Sequence, residues 1–366
     1  VKSQKFHNWI FNSYAPTSEG LALYRIFAAL LFLFFLIPNF SYYEYLGAFP
    51  DDFYTPPPGP MMLFDSFPSV LFLQTMHVLL IVSWIAVLLG FKTRWSSIFA
   101  GLSMLILQGF IFSIGKVNHE ILLAVTPLLM AFSNWGASFS IDQKLGTTTY
   151  KTEGWPLVLL ALFIGFMMFT AGLPKILGGW LDPATQATKG HLLNQHFVRG
   201  RQELLSSYAV NLDINFIWVL LDWATVIFEI GFLIAVFKAG WTRLFVSFAV
   251  LFHFSTMLIL NIAFLPNFLA YAAFIKWDKV YVVVTEFFKN QSKEHTLNPV
   301  LLYTFSILFF FTGLKWLSDS EIFMSIAEPN FHELILISLA LLFVIGVAAK
   351  TVMLTIREKK SVTASP

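Results

Sequence analysis

Phe169-Thr170-Ala171-Gly172-Leu173-Pro174-Lys175 closes an apolar run that begins at Trp155. The run is long enough to cross a bilayer core, which takes about 20 residues. It ends by placing an amine where the apolar stretch gives out, just after Gly172 and Pro174. Runs of this kind recur along the 366 residues, which are 57% hydrophobic and only 12% charged. Soluble domains carry about twice that charge. The composition therefore predicts an all-α integral membrane protein, a polytopic helical bundle.

Ten spans are expected: 20–38, 70–90, 95–115, 118–132, 155–177, 214–237, 241–262, 266–277, 299–317 and 333–356. The fourth and eighth are short, and the eighth reads equally as re-entrant. No small-residue cleavage site follows the first run, so it is read as a retained span. Between spans one and two, Asn39–Pro68 is aromatic and acidic. Its Pro56-Pro57-Pro58-Gly59-Pro60 cannot lie inside a helix, so a loop is expected there, with room for a short interfacial helix. The longest polar interruption is Gly178–Asp213, where His191 and His196 read as solvated. A charged cytoplasmic linker is expected over 278–298, followed by two further spans within 299–356 and a basic tail, 357–366. The whole of 1–366 reads as one transmembrane domain.

Cations orient the chain. With the N-terminus inside, Lys5, Lys92, Arg94, Lys144, Lys151, Lys238, Arg243, Lys276, Lys279 and the tail cations fall on the cytoplasmic side. Lys116, Lys175, Lys189, Arg199, Arg201 and Lys315 fall outside. Both termini are then cytoplasmic, and losing one span breaks the alternation. The net charge of +2 gives no basic face for nucleic acid. The absence of cysteine excludes disulfides, thiolate metal sites and thiol catalysis. No His, Asp or Glu spacing matches a metal motif, so no metal is expected.

An ionisable group inside a span costs roughly 2.5–3.5 kcal/mol on insertion scales and marks a functional candidate. The candidates are Arg25, His77, His119, Glu120, Lys175, Asp222, Glu229 and His253. In the ten-span topology, His119 and Lys175 both stand at outer span ends, at one membrane level. A lysine among apolar neighbours is expected to lose affinity for its proton and to serve as a general base. The competing reading is a span-end lysine that snorkels to the headgroups. Asn118 and His119 also fit a helix cap. His77 and His253 fit interhelical hydrogen bonding better than metal ligation. Arg25 with Asp222 or Glu229 is expected as a buried charge pair. The 42 phenylalanines suit lipid-facing packing, or a flat apolar slot for a quinone or acyl chain, and composition does not choose between them.

Over about residues 20–275 several short motifs occur in an order that resembles the vitamin K-dependent γ-carboxylase family, the group sharing the HTTM transmembrane domain. They are Leu23-Tyr24-Arg25-Ile26-Phe27, Gly90-Phe91-Lys92-Thr93-Arg94, Asn118-His119, Phe139-Ser140-Ile141-Asp142, Ala171-Gly172-Leu173-Pro174-Lys175 followed by Trp180, and Phe252-His253-Phe254. The resemblance implies a membrane enzyme, a lyase and quinol epoxidase, that oxidises a reduced vitamin K or menaquinone-type quinol with O2. It further implies that this chemistry drives carboxylation, with CO2, of an exported peptide or protein. Lys175 then matches the amine that deprotonates the quinol and His119 the histidine that supports the intermediates. Asn118 and His253 are supporting residues. The family's site faces away from the cytoplasm, as Lys175 and His119 do in the ten-span topology.

The family's carboxylase carries a large extramembrane region after its spans, and no counterpart follows residue 356. A compact bacterial member in the cytoplasmic (inner) membrane is therefore expected. Two rival readings remain open. One is a non-enzymatic membrane partner that binds or matures a secreted peptide through 39–68 and 178–213. The other is a transporter using Arg25, Asp222 and Glu229 as a relay, which no inverted repeat supports.

Overall fold

The computed structural model describes residues 2–115, 117–291, 298–318 and 334–342. All regular elements among them are helical. In chain order the α-helices are α1 (Lys2–Asn12), α2 (Ser18–Leu31), α3 (Tyr42–Gly47), α4 (Val70–Leu89), α5 (Thr93–Phe112), α6 (Ile121–Met130), α7 (Ile141–Lys144), α8 (Trp155–Leu177), α9 (Ala187–Leu193), α10 (Ser206–Val210), α11 (Asn215–Ala235), α12 (Ala239–Leu260), α13 (Leu265–Tyr271), α14 (Trp277–Gln291) and α15 (Pro299–Ser318). Residues 334–342 are helical as well.

Six of the ten expected spans appear as helices of 19 to 23 residues, long and apolar enough to cross a membrane. They are α2 with its π-helical extension to Leu36, α4, α5, α8, α11 and α12. Three more appear as shorter apolar helices, Ile121–Met130, Leu265–Phe274 and Val300–Trp316. Most of the expected tenth span, the tail 357–366, and Lys116 lie outside the described residues.

The charged stretch after Lys276 is not a plain linker. Residues Trp277–Gln291 form α14, with Asp278 in its first turn, where an acid suits the helix dipole. Its start packs on α2 at Gly20, where an added Cβ would lie 3.0 Å from the Asp278 nitrogen. The Trp277 ring lies 5.4 Å from Phe27 and 6.1 Å from Tyr24. Charges on one face hid the apolar residues that anchor the other. Residues 292–297 of the expected linker lie outside the described residues. The segment 39–68 does hold a short helix, α3. Its Tyr43 hydroxyl meets Nδ1 of buried His77 at 3.1 Å.

The sequence reading draws one domain. Packing gathers the described residues into two compact units. The first contains the residues up to Thr170, Phe232–Thr242 and Pro266–Lys315. The second contains Ala171–Gly231, Arg243–Leu265 and the described residues from Trp316 onward.

In the first unit, the polar link after α6 locks the α4–α5 hairpin. The Asp142 carboxylate accepts from the Lys92 and Thr93 amides and the Thr93 hydroxyl, each at 2.7 Å. It thus caps α5, whose own N-cap residue makes no side-chain bond. Arg25 is fully buried, and its Nη2 donates to the Phe139 carbonyl at 2.6 Å. The acid whose charge reaches Arg25 is Asp142. This corrects the expected pairing of Arg25 with Asp222 or Glu229, both of which find partners within the second unit. The motif around Phe139–Asp142 sits far from Arg25 in sequence, so spacing gave no sign of the match.

Gly90 makes this junction possible. Its φ of +67° is left-handed, and an added Cβ would stand 2.2 Å from Arg25 Nη1 and 2.9 Å from Ser140 Cα. Gly90→Ala is expected to destabilise the protein by about 2 kcal/mol, from the left-handed backbone and overpacking together. Thermal melting in detergent checks this against Gly240→Ala, where nothing lies within 4 Å of the added atom. Equal melting of the two variants would count against the junction.

Candidate functional site

The last turn of α8 is shaped by its sequence. The Gly179 amide donates to the Ile176 carbonyl at 3.1 Å and the Trp180 amide to the Lys175 carbonyl at 3.0 Å. With Gly179 at φ +79°, this is a Schellman stop, which needs a left-handed residue that glycine supplies without strain. The motif folds Trp180 back over Lys175, whose ammonium lies 5.2 Å from the ring centroid.

Lys175 Nζ donates to both carboxylate oxygens of Glu229 on α11. The side chains are 22% and 5% exposed, respectively. Gly172 stands one turn before Lys175 on the same helix face. A Cβ there would lie 3.0 Å from Glu229 Cβ and 3.1 Å from Ile230 Cδ1. The glycine therefore allows the close approach that forms the pair. The sequence reading placed Lys175 among apolar neighbours with His119 as its partner, and gave Asp222 or Glu229 to Arg25. The structure instead joins Lys175 and Glu229, which lie 54 residues apart.

This contact also fixes a stagger. Glu229 stands 14 residues into α11, roughly 21 Å from its start at the helical rise. So α8 ends against the far part of α11, and the first part of α11 needs other company. The polar segment 178–213 provides it. Buried Asp222 accepts from the Ala187 amide at 2.8 Å, the Thr188 amide at 2.7 Å and the Thr188 hydroxyl. Trp218 and Trp223 donate indole N–H bonds to the carbonyls of Leu212 and Leu181, each at 3.0 Å. Leu192 and Ala209 pack with Trp218, beside Leu221 and Ile259. Asn261, just past α12, exchanges two bonds with the Glu203 backbone. Along α11 itself Phe216, Leu220, Trp223 and Ile227 are exposed at helical spacing.

His196 was expected in solvent, yet it is buried, with Nδ1 3.0 Å from the Ser206 hydroxyl. The local composition is polar, but the segment folds on itself and closes over that ring. His191 is exposed, its ring 5.5 Å from Trp180.

No family model, curated protein or solved structure matches this chain. The resemblance drawn from the sequence therefore rests on its quoted motifs.

The other expected site residues occupy defined places. His253 is buried on α12, its ring 4.3 Å from Phe264 and 5.5 Å from Phe252. Phe252 lies 5.6 Å from Phe228, the neighbour of Glu229. His119 belongs to the first unit, in the turn before α6. The Asn118 side chain accepts from the Glu120 amide at 2.9 Å, an Asx turn that starts the helix. No group of three or more His, Asp or Glu side chains suited to a metal occurs among the described residues.

Chemically, the site sets one amine against one carboxylate, joined by two hydrogen bonds and held by two apolar helices.

Proposed function

We propose that this chain is a multi-pass membrane enzyme that removes a proton from a lipid-soluble quinol, with Lys175 as the base. The observation that carries the reading is the Lys175–Glu229 pair, formed where two span-length apolar helices approach at Gly172. A base at that position meets a hydrophobic substrate without drawing it into water. Glu229 holds the ammonium that forms, and Trp180 offers a flat face beside the amine. Lys175 acts in this step as the neutral amine: its ammonium first gives a proton to water, Glu229 remains its hydrogen-bond partner, and the quinol hydroxyl then loses its proton to the amine. O2 is the oxidant that the resemblance supplies, and the quinol becomes its epoxide with release of water. His119 and Asn118 are supporting residues, and His253 a pocket residue, on the same resemblance. Carboxylation of an exported peptide with CO2 is the coupled step that the resemblance adds.

The finer topology belongs to this reading: about ten spans, both termini cytoplasmic, in a bacterial inner membrane. The cation placement supports it.

The test is oxidation of a reduced menaquinone analogue by the purified full chain in liposomes, with epoxide measured by mass. Oxygen-dependent epoxide formation is expected in wild type, at least 100-fold slower in Lys175→Ala. Equal turnover in the two proteins would end the assignment of Lys175 as base.

A second reading is favoured by Phe197, Val198 and Tyr208, which are 65%, 75% and 73% exposed within the polar segment. Such side chains suit a membrane partner that holds a secreted peptide. On this reading, alanine at these three positions abolishes peptide capture, whereas Lys175→Ala leaves it intact.

A further inference from the structure

The ends of α4, α5, α6 and α8 surround a cleft of about 600 Å³ in the first unit. Three of these helices are long and apolar enough to cross a membrane. Their ends mark the level of lipid headgroups, whichever side of the bilayer they face. Two cations line the cleft, Lys92 and Arg94, and both are exposed. Arg94 is held with its guanidinium 4.9 Å from the Phe132 ring centroid. A stacked guanidinium keeps its donors free for a planar or tetrahedral anion.

The one acid in the lining does not cancel these charges. Asp142 spends its carboxylate on the Lys92 and Thr93 amides and the Thr93 hydroxyl, and its charge also serves buried Arg25. The rest of the wall combines Trp95, Trp135, Trp155 and Phe132 with small and polar residues such as Asn134 and Thr148. Trp95 is 60% and Phe132 39% exposed. Tryptophan favours the boundary between acyl chains and headgroups. A cationic cleft with an open apolar rim matches an amphiphile better than a free anion.

We infer that this cleft binds the phosphate of an anionic membrane lipid, with Arg94 and Lys92 on the phosphate and the acyl chains along Trp95. The site is separate from Lys175 and stands whether or not the quinol reading holds. On the cation placement it faces the cytoplasmic leaflet, where anionic headgroups attract basic residues.

The experiment titrates the purified full chain, in a neutral detergent, with short-chain phosphatidylglycerol and follows melting temperature. Short-chain phosphatidylcholine and inorganic phosphate are run beside it. Saturable stabilisation by phosphatidylglycerol is expected, with at least tenfold weaker apparent affinity in Lys92→Gln/Arg94→Gln. Melting of that variant without lipid should match wild type, because both side chains are exposed. A second variant, Lys144→Gln/Lys151→Gln, removes cations outside the cleft and should bind as wild type does. Three outcomes would overturn the inference: phosphatidylcholine stabilising equally, inorganic phosphate stabilising equally, or both double variants weakening alike. The second of these would reassign the cleft to a soluble phosphate, and the third to general surface charge.

Discussion

Lys175→Ala is expected to lower stability by about 3 kcal/mol, because it strands a buried carboxylate without its counter-charge. Glu229 is only 5% exposed, whereas Lys175 is 22% exposed, which keeps the cost at the lower end of the range for broken buried pairs. A loss of activity in this variant alone would therefore be ambiguous. The double variant Lys175→Met/Glu229→Leu resolves it. Replacing both charges with apolar groups of similar size is often close to neutral. The double variant is expected to melt within about 1 kcal/mol of wild type and still to form no epoxide. Melting curves and turnover are measured on the same preparations. A stable double variant that still turns over the quinol would leave the pair as a packing device and remove its chemical role.

The second large effect is expected at Asp222. Its carboxylate receives three hydrogen bonds from Ala187 and Thr188 while 1% exposed. Bonds to a charged group contribute about 1.5–3 kcal/mol each and do not add fully when shared by one acceptor. Asp222→Ala is expected to cost roughly 3 kcal/mol, concentrated in the segment from Trp180 to Asp213. Hydrogen exchange should rise there by at least tenfold while α4 and α5 stay protected. Uniform acceleration across the chain would show that Asp222 supports the whole fold and not this segment. The same variant sharpens the topology, since the freed segment becomes a substrate for protease added from the side it faces.

The helical class and the six long helices were legible because an apolar run of about 20 residues has few other destinies. Shorter elements were less so. Helix α14 was hidden by Asp278 and Lys279, because a charged face reads as linker until the packing of Trp277 is seen. Lys175 and Glu229 stood out as candidates from the cost of a charge in a span, but their partnership did not. Pairing depends on which helices lie side by side, and nothing local to either residue encodes that. The hint available was Gly172, three residues before Lys175, which marks the face where another helix comes close. Arg25 shows the same limit: its match with Phe139 and Asp142 is built from a bend and the single turn of α7, too short for periodicity to point inward. His196 was misread because composition reports the average polarity of a segment and not which ring it folds over.

The stagger between α8 and α11 has a consequence for the surrounding lipid. Helix α11 has 21 residues, about 31 Å of length, which matches a hydrocarbon core. The two helices run together from Gly165, beside Leu233, to Gly172, beside Glu229, and α8 stops soon after. One leaflet therefore faces α8 and α11 side by side. The second faces the exposed side chains from Phe216 to Ile227, backed by the hydrogen-bonded coat and by Ile259 of α12. Lateral pressure in that second leaflet bears on the coat and its Asp222 anchor, so bilayer thickness and acyl-chain order become variables that any assay of this protein must hold constant.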